Sequence, residues 1–130
     1  MTPTPTCDKA MVAPIQILAV DDSRSNLEII QEMLSGRYSV EAAQDGAQAI
    51  RLAELHPPRV VLLDVMLPGI DGYETCRRLR RLPGMCDSRI IMVTAKALPA
   101  ERAAGLEAGA DAYLTKPFAE AELLAAIQTS

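Results

Sequence analysis

The stretch Arg59-Val60-Val61-Leu62-Leu63-Asp64-Val65-Met66-Leu67-Pro68-Gly69 restricts the folds open to this chain more than any other. An apolar, β-branched run ends in one carboxylate, and a Pro-Gly break follows at once. A run without polar alternation reads as a strand buried on both faces, as in a parallel sheet covered by helices. Asp64 then stands at the strand's C-terminal end. A lone carboxylate there is costly unless something pairs with it. In open α/β sheets, ligands sit in the crevice beyond the carboxyl ends of the strands, so Asp64 is the first candidate for chemistry.

The same pattern recurs along the chain. Ile15-Gln16-Ile17-Leu18-Ala19-Val20 is a compact apolar strand that runs into Asp21-Asp22-Ser23. Asp22 or Ser23 can cap the following helix, whose apolar positions include Leu27, Ile30 and Leu34. After Gly36, Ser39 to Ala43 alternates weakly, as an edge strand does. Asp45-Gly46 is a turn signal, and Ala47 to Leu55 is an Ala-rich helix stopped by Pro57-Pro58. Residues 66–72 are a loop by composition. Tyr73 to Leu82 is a third helix, with Tyr73, Cys76 and Leu79 as its buried stripe, and Pro83-Gly84 ends it. Arg89-Ile90-Ile91-Met92-Val93 is a fourth buried strand, ending at Thr94-Ala95-Lys96-Ala97. Leu98 to Ala108 is a helix closed by Gly109. Asp111 to Thr115 is the fifth strand, ending in Lys116-Pro117-Phe118. A last helix runs from Phe118 to Thr129, burying Leu123, Leu124 and Ile127.

Strand and helix alternate five times, which predicts a parallel, doubly wound (βα)5 sheet with right-handed crossovers. The flavodoxin-like order 2-1-3-4-5, with helices on both faces, is the expected topology. It makes strands 1, 3 and 4 neighbours and gathers Asp21, Asp22, Asp64, Thr94 and Lys116 at the carboxyl ends. Three such carboxylates repel and raise one another's pKa without a cation. Together they form a hard oxygen cage of the kind Mg²⁺ accepts, leaving room for water and phosphate oxygens. Backbone N–H groups after Thr94 can face an anion. Lys116 brings a positive charge to the same end, and its bond to Pro117 has access to the cis form.

The remaining features carry less chemistry. Residues 1–14, with three prolines and three threonines, read as a disordered leader, leaving one domain over 15–130. The chain has no Trp, one Phe and three Tyr, so its core must be aliphatic. A net charge of −4 argues against direct nucleic-acid binding. Cys7, Cys76 and Cys86 form no CxxC or metal spacing, and with no secretory signal they favour a reducing cytoplasm. They read as unpaired thiols, with redox sensing by Cys7 as the minor alternative. No apolar run approaches the ~20 residues that span a bilayer. His56, the only histidine, falls at a helix C-terminus. Arg77, Arg78, Arg80 and Arg81 read as a solvated face rather than a docking patch for an acidic partner.

Taken together, Asp21-Asp22, Asp64 within LLDVMLPGIDGYE, Thr94-Ala95 and Lys116-Pro117-Phe118 resemble the receiver domain of two-component response regulators, over residues ~15–128. The resemblance implies that Asp64 is a phosphoacceptor, supplied by a histidine kinase or histidine phosphotransferase. It implies a Mg²⁺ site, with Mn²⁺ as a substitute, held by Asp22, Asp64 and the Met66 backbone carbonyl, with Asp21 acting mostly through water. Thr94 and the Ala95 backbone would bind the phosphoryl group. Lys116 would pair with it beside a cis Pro117, and Tyr113 matches the family's switch aromatic. Phosphorylation would then alter the face built by the fourth helix, fifth strand and fifth helix, and with it the binding of a downstream protein target. Met66 and Lys96, each two residues past a site residue, would flank the attacking water and tune rates. A homodimer through the same face is an expectation of the family alone.

Such a domain is cytoplasmic and is not a turnover enzyme, since it catalyses only its own phosphorylation and dephosphorylation. Two other readings stay open. One is a docking module that keeps the fold without the chemistry; the complete acidic set argues against it. The other is a phosphatase forming an aspartyl phosphate, of the haloacid-dehalogenase type. That chemistry needs a second Asp two residues after the nucleophile, where this chain has Met66. The chain stops within a few residues of the last expected helix, which suits either a stand-alone receiver or one domain of a longer protein.

Overall fold

Burial on both faces is what the central strands require, and the fold supplies it. The computed structural model describes residues 16–85, 87–95 and 99–128. Five parallel strands, β1 (Gln16–Val20), β2 (Ser39–Ala43), β3 (Val60–Asp64), β4 (Arg89–Thr94) and β5 (Ala112–Thr115), form one sheet in the order β2-β1-β3-β4-β5. They alternate with α1 (Arg24–Leu34), α2 (Gly46–Leu55), α3 (Gly72–Arg80), α4 (Pro99–Ala108) and α5 (Glu120–Gln128). This is the flavodoxin-like topology expected from the sequence.

The period-2 alternation of the strands divides the core into two aliphatic layers. Val61, Leu63, Ile90 and Met92 pack with Ala49 and Ala53 of α2, Cys76 and Leu79 of α3, and Ala108 of α4. Val60, Leu62, Ile91, Val93 and Leu114 pack with Leu27, Ile30 and Leu34 of α1 and with Leu123 and Ile127 of α5. Each large side chain so buried contributes on the order of 1.5–3 kcal/mol. Leu124 and Tyr73 are only half-buried, so the stripes expected for their helices shift slightly.

Three helices begin on side-chain caps that set the loops around the strand ends. Ser23 Oγ accepts from Asn26 N (3.4 Å), so Ser23, not Asp22, caps α1. Asp45 Oδ1 accepts from Gln48 N (2.7 Å), making Asp45-Gly46 a helix start rather than a plain turn. Asp71 Oδ1 accepts from Glu74 N (2.9 Å) at the head of α3.

The arginine run is only partly a solvated face. Arg77 and Arg78 pair with Glu74 on the surface of α3. Arg80 instead turns inward and donates to the carbonyls of Gly109 (2.8 Å), Met85 (3.2 Å) and Ser88 (2.6 Å), and to the Asp111 carboxylate. One guanidinium thereby joins the end of α3 to the starts of β4 and β5. Its planar fork of donors is what makes several simultaneous bonds available. His56 is the exposed C-cap of α2.

Among the described residues, no helix is long and apolar enough to cross a membrane. The expected leader over 1–14, the strand start at Ile15, Cys7, Cys86, Lys96 and the helix residues Leu98 and Thr129 lie outside the described residues.

Candidate functional site

The strand register decides which polar groups meet. Val20 pairs with Leu63, so Asp21 continues one residue past β1 beside Asp64 at the end of β3. Asp64 pairs with Val93, which sets Thr94 one residue beyond it on β4. Thr94 pairs with Thr115, and the Lys116 N–H donates to the Thr94 carbonyl at 2.8 Å. The strands therefore deliver Asp21, Asp64, Thr94 and Lys116 to one edge of the sheet.

Their side chains converge there. Lys116 Nζ donates to Asp64 Oδ2 at 2.8 Å and to Asp21 Oδ2 at 3.0 Å. Asp64 Oδ1 accepts the Met66 N–H at 3.0 Å. Asp21 is held by its own loop: Oδ1 accepts from Ser23 N (2.9 Å) and Oδ2 from Asn26 Nδ2 (3.2 Å). Asp21, Asp64 and Thr94 are buried, whereas Asp22 is exposed. Each of Asp21, Asp22 and Asp64 offers a carboxylate oxygen within 4.8 Å of the other two.

The electrostatics follow from crowding. Burial is the largest influence on Asp64 and pushes its pKa up; Asp21 adds to that, while Lys116 and the Met66 N–H oppose it. Burial pulls Lys116 down, but its bonds to Asp64 and Asp21 outweigh that and leave its pKa raised. Three carboxylates clustered beside one ammonium, which bonds two of them, leave an excess of negative charge at this edge of the sheet. Hard oxygens, one of them open to solvent, fit a small divalent cation that keeps part of its water shell.

Local sequence holds these groups in place. A Cβ on Gly72 would lie 2.3 Å from the Asp64 carbonyl oxygen and 2.7 Å from Val65 Cα. Only glycine lets α3 start that close to the end of β3, and its N–H donates to the Val65 carbonyl at 2.9 Å. The Lys116-Pro117 peptide is cis. Met66 is 76% exposed and stands at the rim; Ala95 is exposed; Lys96 lies outside the described residues. Tyr113 lies away from the carboxylates, against α4, with its hydroxyl 3.2 Å from that of Tyr73.

Similarity to known proteins agrees with this geometry. The family model of the response regulator receiver domain matches residues 17–128. The chain belongs to the response regulator receiver family. Response regulator MprA from Mycobacterium sp. (strain KMS) is 50% identical over 113 residues, covering 86% of this chain and 48% of that protein. The receiver thus spans about half the length of the curated relatives it matches. The chemotaxis protein CheY4 of Vibrio cholerae superposes with a TM-score of 0.86 at 32% identity, covering 89% of this chain and 98% of that one. The receiver domain of the sensor histidine kinase PA1611 from Pseudomonas aeruginosa superposes at 0.82 with 39% identity, covering 89% and 96%. Magnesium is coordinated in the active-site cleft of that domain.

Three contributors escape a linear reading. Asn26 sits in the first turn of α1, where a polar residue is ordinary, yet it bonds Asp21. Tyr73 reads as core but ends on a hydroxyl partner 40 residues away. Arg80 looks like one of a solvated run. Only the spacing of Asn26 five residues after Asp21, nearly one and a half helical turns, offered a signal.

Proposed function

We propose that the receiver takes a phosphoryl group on Asp64 from a phosphohistidine of a histidine kinase or histidine phosphotransferase. The observation that supports this best is the Lys116 ammonium bonded at once to Asp64 and Asp21 at the mouth of three clustered carboxylates. In the transfer, a carboxylate oxygen of Asp64 attacks phosphorus, the P–N bond breaks, and its electron pair stays on the imidazole, which takes up a proton. Little covalent work falls to the protein; placement and charge neutralisation do most of it. Asp22, Asp64 and the Met66 carbonyl, with Asp21 mostly through water, would hold Mg²⁺ or Mn²⁺ in its stead, which would supply positive charge to the phosphoryl oxygens. Lys116 supplies the second positive charge from the opposite strand, and Thr94 and the Ala95 backbone donate to the same oxygens.

The product adds about −1.5 to −2 charge at the sheet edge. Lys116 and Thr94 shift toward it, and because Lys116 and Thr94 share a backbone hydrogen bond, β4 and β5 respond together. The face built by α4, β5 and α5 is then the surface through which a downstream protein target, or a second copy, reads the state. The receiver is a phosphoacceptor with self-catalysed turnover of its own phosphate and does not process a separate substrate; a chromogenic phosphate ester should stay intact.

Intact-protein mass spectrometry after incubation with acetyl phosphate tests the reading. A phosphate-sized gain that needs Mg²⁺ and vanishes in Asp64→Asn is expected. No gain in folded wild type would favour a phosphorylation-independent docking module. A gain that survives Asp64→Asn would move the chemistry to another residue.

A further inference from the structure

The side chain of Tyr113 lies in a slot made by two helices. Its floor is the backbone of α4: a Cβ on Gly105 would stand 2.4 Å from Tyr113 Cε1 and 2.7 Å from its hydroxyl oxygen. Contacts that short never occur, so the ring lies directly on a helical glycine. Arg102, one turn earlier on α4, places its guanidinium carbon 5.9 Å from the ring centroid. The end of the slot is Tyr73 of α3, whose hydroxyl is 3.2 Å from that of Tyr113.

Tyr73 is attached to the acceptor strand by the shortest route available. It follows Gly72, which is wedged against the Asp64 carbonyl. Tyr113 in turn pairs with Met92, two residues before Thr94 on the same face of β4, and lies three residues before Lys116. The hydroxyl pair therefore closes a loop of contacts from Asp64 through α3 to β5 and back through Lys116 to Asp64.

We propose that Tyr73 is a positioning residue, whose hydroxyl holds Tyr113 on Gly105 and so couples the packing of α4 to the occupancy of Asp64. The second half of this statement rests on the phosphoacceptor reading; the first does not. Gly105 supports it independently. An interior helical glycine is destabilising relative to alanine, so its presence under the ring is a cost that the slot explains.

Three tyrosines and no tryptophan make 3-fluorotyrosine labelling decisive. It gives one ¹⁹F line each for Tyr38, Tyr73 and Tyr113, assigned by single Tyr→Phe changes. In wild type the Tyr113 line should resist broadening by a dissolved gadolinium chelate. In Tyr73→Phe it should move and broaden, and Gly105→Ala should do the same while α4 stays helical by circular dichroism. Beryllofluoride with Mg²⁺, used as the phosphoryl mimic, should bind Tyr73→Phe about fivefold more weakly, the share that one hydroxyl bond can contribute, and should restore part of the protected Tyr113 signal. A Tyr113 line that stays protected in both variants overturns the positioning role, whatever beryllofluoride does. Equal beryllofluoride affinity in wild type and Tyr73→Phe overturns the coupling alone, whereas no beryllofluoride binding to folded wild type overturns the phosphoacceptor reading and leaves the exposure result to decide the slot.

Discussion

Lys116 Nζ lies 2.8 Å from Asp64 Oδ2, and 52 residues of chain separate the two. The same ammonium reaches Asp21 at 3.0 Å. It thereby balances part of the negative charge of the two carboxylates. Lys116→Met removes it and leaves two buried carboxylates facing each other. We expect the metal-free variant to lose about 2 kcal/mol by urea denaturation, less than the cost of breaking a fully buried pair because the Lys116 side chain is 26% exposed. The Mg²⁺ dissociation constant, measured by NMR titration, should fall by about threefold or more. Beryllofluoride binding should be lost. Weaker Mg²⁺ binding in the variant would show that Lys116 orders the carboxylates rather than competing for them.

Arg80 joins three backbone carbonyls and one carboxylate across two loops. Arg80→Met should cost about 3 kcal/mol, since the Gly109, Met85 and Ser88 carbonyls each lose the guanidinium as a donor. Arg80→Lys should recover less than half of that, because one ammonium cannot match the fork. Asp111→Asn should cost only about 1 kcal/mol, as this carboxylate is partly solvated. Equal stability of Arg80→Lys and wild type in a denaturant titration would refute the fork.

Gly72→Ala places a methyl group 2.3 Å from the Asp64 carbonyl oxygen, well inside van der Waals contact. The start of α3 must then retreat from β3. A loss of about 2 kcal/mol or more is expected, with slower acetyl phosphate labelling in the population that remains folded. Normal stability and labelling would mean that α3 relaxes without disturbing Asp64.

Cys76 is buried, and its thiol is pushed up to about 11 by that burial. Its ordinary value is 9.0, so between about 9 and 11 the unfolded chain ionises and the folded one does not. The unfolded state then binds fewer protons, and stability falls as pH rises through that window. Cys76→Ala should abolish this part of the alkaline loss. Native protein should also resist alkylation at Cys76 at pH 8, read by peptide mass spectrometry.

Met66 is exposed at the site rim and offers no group that orients water. Met66→Asn should shorten the lifetime of the phosphorylated receiver by about two- to tenfold. Decay at the wild-type rate would remove Met66 from the list of rate-setting positions.

Much of this was readable in the chain. Five segments of strand length, separated by helical periods, determine a parallel sheet because the apolar central ones must be covered on both faces. Asp64, Thr94 and Lys116 are legible for a related reason: a polar residue at the C-terminal end of a largely apolar strand lies at the carboxyl edge of the sheet. The Asp21-Asp22 pair is legible in position but not in role. Neighbouring residues on an extended chain point opposite ways, and only the folded strand shows that Asp21 turns inward to Lys116 and Asn26 while Asp22 faces solvent. What tertiary structure alone decided involves side chains that bridge elements far apart in sequence. Arg80 is one of four similar arginines until the α4–β5 and α3–β4 loops arrive beside it with carbonyls turned toward its guanidinium. Tyr73 is one more apolar-looking helix position until Gly105 lets Tyr113 lie against α4 and reach it. Periodicity reports which face of an element is buried, but not which distant polar atom waits there, because that partner is supplied by strand order and helix packing rather than by neighbours along the chain.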